Sequence, residues 1–243
     1  MRLNGIELWF EARGEGPPLL LLHGMGGSSQ DWKFFGRDAF AREHRTLAVD
    51  ARGHGRSTND RPELTHRQCA ADVLALLDAL GIARCAAIGL SMGGNTLLHV
   101  ASQSPERIDA MVLVSATPRF GEQARALMRA VSSENRSPAD WAEMRGRHVH
   151  GDAQIEAIWN AMRALGESTE DVNFSAADLA KIRARTLVVY GDRDPLYPLE
   201  HGLELSRGIP NASLWVVPGA GHLPIGGENT EEFVRRALTA IRP

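Results

Sequence analysis

Uninterrupted apolar runs alternate along this chain with stretches whose apolar positions recur at helical spacing. In Pro18-Leu19-Leu20-Leu21-Leu22-His23 every position from Leu19 to Leu22 is apolar, the pattern of a strand covered on both faces. Arg45–Val49, Ala86–Ile88, Ala110–Val114, Thr186–Tyr190 and Leu214–Val217 repeat it. Between them, Cys69–Leu80 places Val73, Leu76, Leu77 and Leu80 on one stripe, and Gly81 follows as a stop. Met92–Gln103 and Glu231–Ile241 also read as helices. This alternation predicts an α/β fold with a mostly parallel, doubly wound sheet. The start differs. Asn4-Gly5 suits a type I′ turn, and Ile6-Glu7-Leu8-Trp9-Phe10 alternates like a half-exposed strand, so an N-terminal antiparallel hairpin is expected. A second turn at Gly14-Glu15-Gly16-Pro17 leads into the Leu19–Leu22 run.

One segment breaks the rhythm. From about Thr117 to Arg185 no β-like run appears, and the helical pieces Gln123–Val131, Ala139–Arg145, Ala153–Leu165 and Ala176–Ile182 follow one another. The expectation is a single domain over residues 1–243, with a core of 1–116 and 186–243 and a helical lid over about 117–185. Neither a domain linker nor an internal repeat is visible.

Composition narrows the function classes. Hydrophobic residues make up 43% of the chain, enough for a substantial core. A formal charge of −3 and the absence of a basic tract argue against nucleic acid or an anionic membrane as partner. Cys69 and Cys85 are too few for a disulfide framework, fit no zinc spacing, and read as small buried side chains. Met1-Arg2-Leu3-Asn4-Gly5 has no apolar stretch behind a basic start, and Leu19–Leu22 is too short to cross a bilayer. No membrane insertion is expected, and a cytoplasmic location is.

The strongest chemical signal is Gly89-Leu90-Ser91-Met92-Gly93, between a buried strand and a helix. A serine exposed on so sharp a turn takes a strained backbone conformation, and side chains two positions either side would collide, hence glycine at 89 and 93. The turn aims the Met92 N–H and the positive end of the helix at the place where an oxyanion forms. A second small-residue loop, His23-Gly24-Met25-Gly26-Gly27-Ser28-Ser29, follows the Leu19–Leu22 strand, and its Met25 N–H is the candidate second oxyanion donor. A dinucleotide loop does not fit, because position 29 is Ser where G-x-G-x-x-G needs Gly. His23 reads as a brace for this loop.

These motifs, with Asp50-Ala51-Arg52-Gly53-His54-Gly55-Arg56-Ser57, resemble the α/β-hydrolase superfamily, in its serine-nucleophile branch, over nearly the whole chain outside the helical insertion. The resemblance implies a catalytic Ser, Asp or Glu, and His in that chain order, the acid after a late strand and the His after the last. Asp194 in Gly191-Asp192-Arg193-Asp194-Pro195 and His222 in Gly219-Ala220-Gly221-His222 stand at those places. Asp192, closer to the strand, is expected to stabilise its loop. His54 corresponds to a structural loop position in the family.

Serine at 91 sets aside the aspartate-nucleophile dehalogenases and epoxide hydrolases. Gly-Leu-Ser-Met-Gly-Gly is more similar to enol-lactone hydrolases and simple carboxylesterases than to prolyl iminopeptidases, and Met25 departs from the His-Gly-Gly-Gly loop of hormone-sensitive-lipase-like esterases. The resemblance thus implies a carboxylic ester hydrolase acting on small, largely apolar esters or lactones without a cofactor, as a monomer or homodimer. A cofactor-free perhydrolase and a ligand-sensing receptor with little turnover are the alternatives. Trp141, Trp159, Met128 and Met162 are the candidate substrate-pocket residues, on the inner faces of the lid helices. His148-Val149-His150 lacks a third ligand for a metal and is expected at a solvated helix end.

Overall fold

The computed structural model describes residues 1–61 and 63–242. Asn4 and Gly5 have φ of 47° and 83°, as a type I′ turn requires, and they join β1 (Arg2–Leu3) to β2 (Ile6–Glu7) in antiparallel register. The expected single strand Ile6–Phe10 is broken at Leu8, whose side chain is buried. Past that break β3 (Trp9–Arg13) leaves the hairpin and pairs antiparallel with β5 (Arg45–Asp50), not with the strand that follows it in sequence.

The remaining strands are parallel. β4 (Pro18–Leu22), β5, β6 (Cys85–Leu90), β7 (Ile108–Val114), β8 (Arg185–Gly191) and β9 (Ala212–Val217) join β3 in one seven-stranded sheet of order β3-β5-β4-β6-β7-β8-β9. The uninterrupted apolar runs have the expected cause. Leu20 and Leu22 face a core formed with α2 (His66–Ala79), α3 (Met92–Gln103) and α8 (Leu199–Gly208). Leu19 and Leu21 face the opposite core, with α1 (Arg37–Phe40) and α9 (Thr230–Ile241). Each such leucine, taken fully out of water, stabilises by about 1.5–3 kcal/mol. Strand order reverses at β4, which has β5 on one side and β6 on the other. Ligands of open α/β sheets bind in the crevice beyond the strand ends at such a reversal. The loops after β4 and β6 both open there.

Several helix assignments differ from the sequence reading. α2 begins at His66, three residues before Cys69, because Thr65 and Gln68 form a capping box: Thr65 Oγ1 accepts from the Gln68 N–H and Gln68 Oε1 from the Thr65 N–H. α8 gave no helical pattern because Gly202 and Gly208 interrupt it. At Gly202 a Cβ would come within 2.8 Å of the Tyr190 ring, so close packing on β8 selects the glycine at the expense of helix propensity. Between β7 and β8 the chain forms α4 (Glu122–Arg129), α5 (Pro138–Arg147), α6 (Asp152–Leu165) and the short α7 (Ala176–Leu179), the last ending before the expected Ile182. Among the described residues, no helix is long and apolar enough to cross a membrane.

The loop after β5 is tied to α2 by one buried ion pair. Arg52 Nε and Nη2 donate to the two Asp72 carboxylate oxygens at 2.7 and 2.8 Å, and Asn4 Nδ2 adds a third bond to Asp72 Oδ1 at 2.9 Å. Removing one partner strands a buried charge, whereas removing both does not. Arg52→Met is therefore expected to destabilise by about 3–5 kcal/mol, and Arg52→Met with Asp72→Leu by far less. Urea unfolding of the three proteins checks this; equal losses for single and double variants would refute it.

Candidate active site

Ser91 sits between the end of β6 and the start of α3 with φ 50° and ψ −109°, a region that L-residues rarely enter. The surroundings over-determine it. The Ser91 N–H donates to the Val114 carbonyl at 2.7 Å, and its carbonyl accepts from the Asn95 N–H at 2.9 Å. A Cβ on Gly89 would lie 2.5 Å from the Gly93 carbonyl group, and one on Gly93 2.3 Å from the Leu22 carbonyl oxygen. Glycine at both positions thus allows helix, strand and neighbouring strand to converge under the serine.

The loops after β8 and β9 bring two more side chains to Ser91. His222 Nε2 lies 2.9 Å from Ser91 Oγ, and His222 Nδ1 lies 2.8 Å from Asp194 Oδ2. Asp194 is held from the other side, its Oδ1 accepting the Leu196 and Tyr197 N–H groups at 2.8 and 3.1 Å. Oδ2 is therefore the oxygen presented to the imidazole. Its side chain is 0% exposed and that of His222 is 23% exposed, so the carboxylate is shielded while the imidazole edge stays reachable. Asp192 instead accepts the Gly219 N–H at 2.6 Å and braces the loop that carries His222. Gly191 completes the approach: a Cβ there would meet the Ala220 carbonyl oxygen at 2.2 Å.

Met25 and Met92 line the same cavity as Ser91. Met92 is the first residue of α3, so its N–H has no intrahelical acceptor, and among the described residues neither it nor the Met25 N–H has a hydrogen-bond partner. The loop that presents Met25 is braced by three histidines. His23 Nε2 accepts from the Ala51 N–H at 3.0 Å and His54 Nε2 from the Gly26 N–H at 3.2 Å. His148 Nδ1 accepts from the Gly55 N–H at 2.9 Å, and its Nε2 donates to the Gly26 carbonyl at 3.1 Å. The expectation that His148 lies at a solvated helix end is thus corrected: it is buried and cross-links the loops after β4 and β5, while His150 is exposed. Burial pushes the His54 imidazole well below its ordinary range and His148 down to about 4, so both act as neutral hydrogen-bonding rings.

A small cavity of about 30 Å³ opens beside Ser91. Of the four expected pocket residues, Met128 and Met162 line it. Trp159 does not. It packs with Val131, Met144 and Ile155 in a small core within the insertion, and its other surface lines a groove running outward past Met25, Met162 and Leu223. Trp141 lines neither space; its ring meets Trp159 edge-on at 4.6 Å between centroids. The tryptophans pack the insertion's own helices against one another.

Sequence reasoning missed His66, Phe120, Leu165, Leu196 and Tyr197 on the cavity wall. Tyr197 had a local signal, three residues after Asp194. Burial raises its hydroxyl well above the usual phenol range, with the adjacent Asn95 and Ser91 side chains opposing, so it stays protonated beside the serine. The buried thiols of Cys69 and Cys85 are both pushed up to about 12 by burial and are chemically quiet.

Comparison with known proteins sets this geometry in context. Residues 19–236 match the alpha/beta hydrolase family. The chain is 32% identical over 251 residues to the dihydrolipoyllysine-residue acetyltransferase component of the acetoin cleaving system of Pseudomonas putida, covering 96% of this chain and 66%, just under two thirds, of that protein. It is 31% identical over 230 residues to a putative carbamate hydrolase, RutD, of Pseudomonas savastanoi pv. phaseolicola, covering 86% of this chain and 87% of that one. Among solved structures, the enol-lactonase from Burkholderia xenovorans LB400 superposes with a TM-score of 0.77 at 28% identity, over 97% of this chain and 96% of that one.

Proposed function

The chain belongs to the alpha/beta hydrolase family, and from that premise we propose that Ser91, His222 and Asp194 form a catalytic triad hydrolysing small, largely apolar carboxylic esters or lactones. The observation that carries this reading is the continuous relay from Ser91 Oγ through the two ring nitrogens of His222 to Asp194 Oδ2, at 2.9 and 2.8 Å. Ser91 Oγ attacks the carbonyl carbon as its proton passes to His222 Nε2. The Nδ1–H bond to Asp194 holds the tautomer that leaves Nε2 able to accept, and the carboxylate stabilises the imidazolium.

The carbonyl oxygen, now an oxyanion, receives the unpaired N–H groups of Met25 and Met92. Each such donor contributes about 3 kcal/mol to the transition state in comparable sites. His222 returns the proton to the departing alkoxide. Water, deprotonated by the same imidazole, then attacks the acyl carbon and releases the acid and Ser91. Helices α4 to α6 act as the lid: Met128 and Met162 roof a cavity whose wall is apolar apart from His66, Ser91 and Tyr197, which favours small hydrocarbon acyl groups.

The test is a panel of aryl esters of increasing acyl length, simple lactones, aryl carbamates and peroxide-dependent halide oxidation, each with wild type and Ser91→Ala. Turnover is expected on short and medium acyl esters or lactones, with a fall once the chain outgrows the cavity. Ser91-dependent activity confined to carbamates, or requiring peroxide, would overturn the ester assignment.

A further inference from the structure

A second histidine–carboxylate pair stands on the same cavity. His66, the first residue of α2, lines the space beside Ser91. It is 1% exposed, and its Nδ1 lies 2.6 Å from Asp171 Oδ2. Asp171 belongs to the segment between α6 and α7, so the insertion and the sheet domain each supply one partner. The rings of His66, Phe120, Tyr197 and His222 follow one another around the cavity at centroid separations of 5.8, 6.2 and 5.2 Å. The two pairs thus stand apart, joined through Phe120 and Tyr197.

The carboxylate has a structural role of its own, since it also accepts the backbone N–H groups of His66 and Arg67 and caps the start of α2. The imidazole is not needed for that. Its Nδ1 is engaged by Asp171, and among the described residues its Nε2 has no hydrogen-bond partner. The ring forms part of the wall of the cavity that also holds Ser91. Apart from Ser91 and Tyr197 the wall is apolar, with Met25, Phe120, Met128, Met162 and Leu165 among its members. A polar atom left unpaired in such a wall costs free energy unless a bound molecule satisfies it.

We infer that His66, oriented by Asp171, is a specificity-determining residue whose Nε2 hydrogen-bonds a hydroxyl group on the acyl part of the substrate. A hydroxyl fits either charge state, donating to bare Nε2 or accepting from Nε2–H. The preferred substrates are then esters of hydroxy acids, with the hydrocarbon of the acyl chain against the methionines. This rests on the ester-hydrolase reading and names the acyl class for it. A site built to pair a substrate hydroxyl discriminates against the analogue lacking it more strongly than an apolar wall does against an added methylene.

The experiment compares aryl esters of hexanoic, 3-hydroxyhexanoic and 6-hydroxyhexanoic acid with wild type, His66→Leu, His66→Gln and Asp171→Asn. For the better hydroxy ester, wild-type kcat/KM is expected to exceed that of the hexanoate by roughly 10- to 100-fold. His66→Leu removes that preference, lowering kcat/KM on the better hydroxy ester by roughly 10-fold more than on the hexanoate, and His66→Gln, which keeps a polar tip, restores part of it. Asp171→Asn reduces the preference as well. No preference in wild type, or a parallel loss on all three esters in His66→Leu and His66→Gln, would overturn the inference and leave His66 a packing residue. Calorimetric binding of hexanoate and the two hydroxyhexanoates to wild type and His66→Leu gives a readout free of turnover. If wild type hydrolyses none of the esters, the ester reading fails by itself. The binding arm then decides for His66: a hydroxyhexanoate preference lost in His66→Leu supports the subsite, and equal binding overturns it.

Discussion

Ser91→Ala is expected to lower kcat on the best aryl ester by about 10⁴- to 10⁶-fold while leaving the thermal midpoint nearly unchanged. The large effect follows from the chemistry: without Oγ there is no acyl-enzyme, and only binding and the two N–H donors remain to assist water. The small effect on folding follows from the packing, because the strain at residue 91 is held by backbone bonds to Val114 and Asn95 that alanine retains. His222→Ala is expected to cost nearly as much as Ser91→Ala, and the double variant little more, since residues of one relay are not additive. Asp194→Asn costs about 10⁴-fold by favouring the wrong tautomer. Steady-state kinetics and labelling by a fluorophosphonate check all four; comparable activity in Ser91→Ala would remove the proposed nucleophile.

Acidification is expected to destabilise the fold steeply between pH 6.5 and 4. Burial holds the imidazoles of both His148 and His99 at about 4, and His54 lies well below its ordinary range. In the unfolded chain each would titrate near 6.5. A folded pKa below the unfolded one means that the unfolded state binds more protons as pH falls. The stability is therefore full above pH 6.5 and is lost as pH drops towards 4, by about 3 kcal/mol for each of His148 and His99 at pH 4. Asp171 lies below the usual carboxylate range: its burial acts upward, but the bonds and charge of His66 outweigh it. Its contribution has the same sign and is lost at lower pH, below about 3.9.

Urea midpoints at pH 7.5, 5.5 and 4.5 measure the slope. His148→Gln is expected to lower stability at pH 7.5, since it removes bonds to Gly55 and Gly26, but to flatten the pH dependence. An unchanged slope in that variant would show that His148 does not carry the effect.

The parts of this protein legible in its sequence are those set by local chemistry. Four successive leucines announce a strand buried on both sides, Asn4-Gly5 a tight turn, and glycines at 89 and 93 a backbone too crowded for Cβ. Asp194 and His222 were reached only through the chain order that the α/β-hydrolase resemblance implies, each beyond a readable strand end. α8 was illegible because Gly202 is chosen by contact with Tyr190 and not by helix propensity. Trp141 and Trp159 looked like pocket residues because an apolar helix face does not reveal which neighbour covers it; here Trp141 packs edge-on against Trp159, and Trp159 packs into the insertion's own core and lines the outer groove.

The sequence alone thus determined the α/β class and the serine on its strained turn, because strand periodicity and glycine crowding act over a few residues. Only the tertiary structure decided which side chains share a cavity. His66 meets Asp171 across 105 positions of chain, and His222 meets Ser91 across 131. No local pattern encodes such pairings. They are set by where β4 reverses the strand order and by how the insertion folds back over that edge.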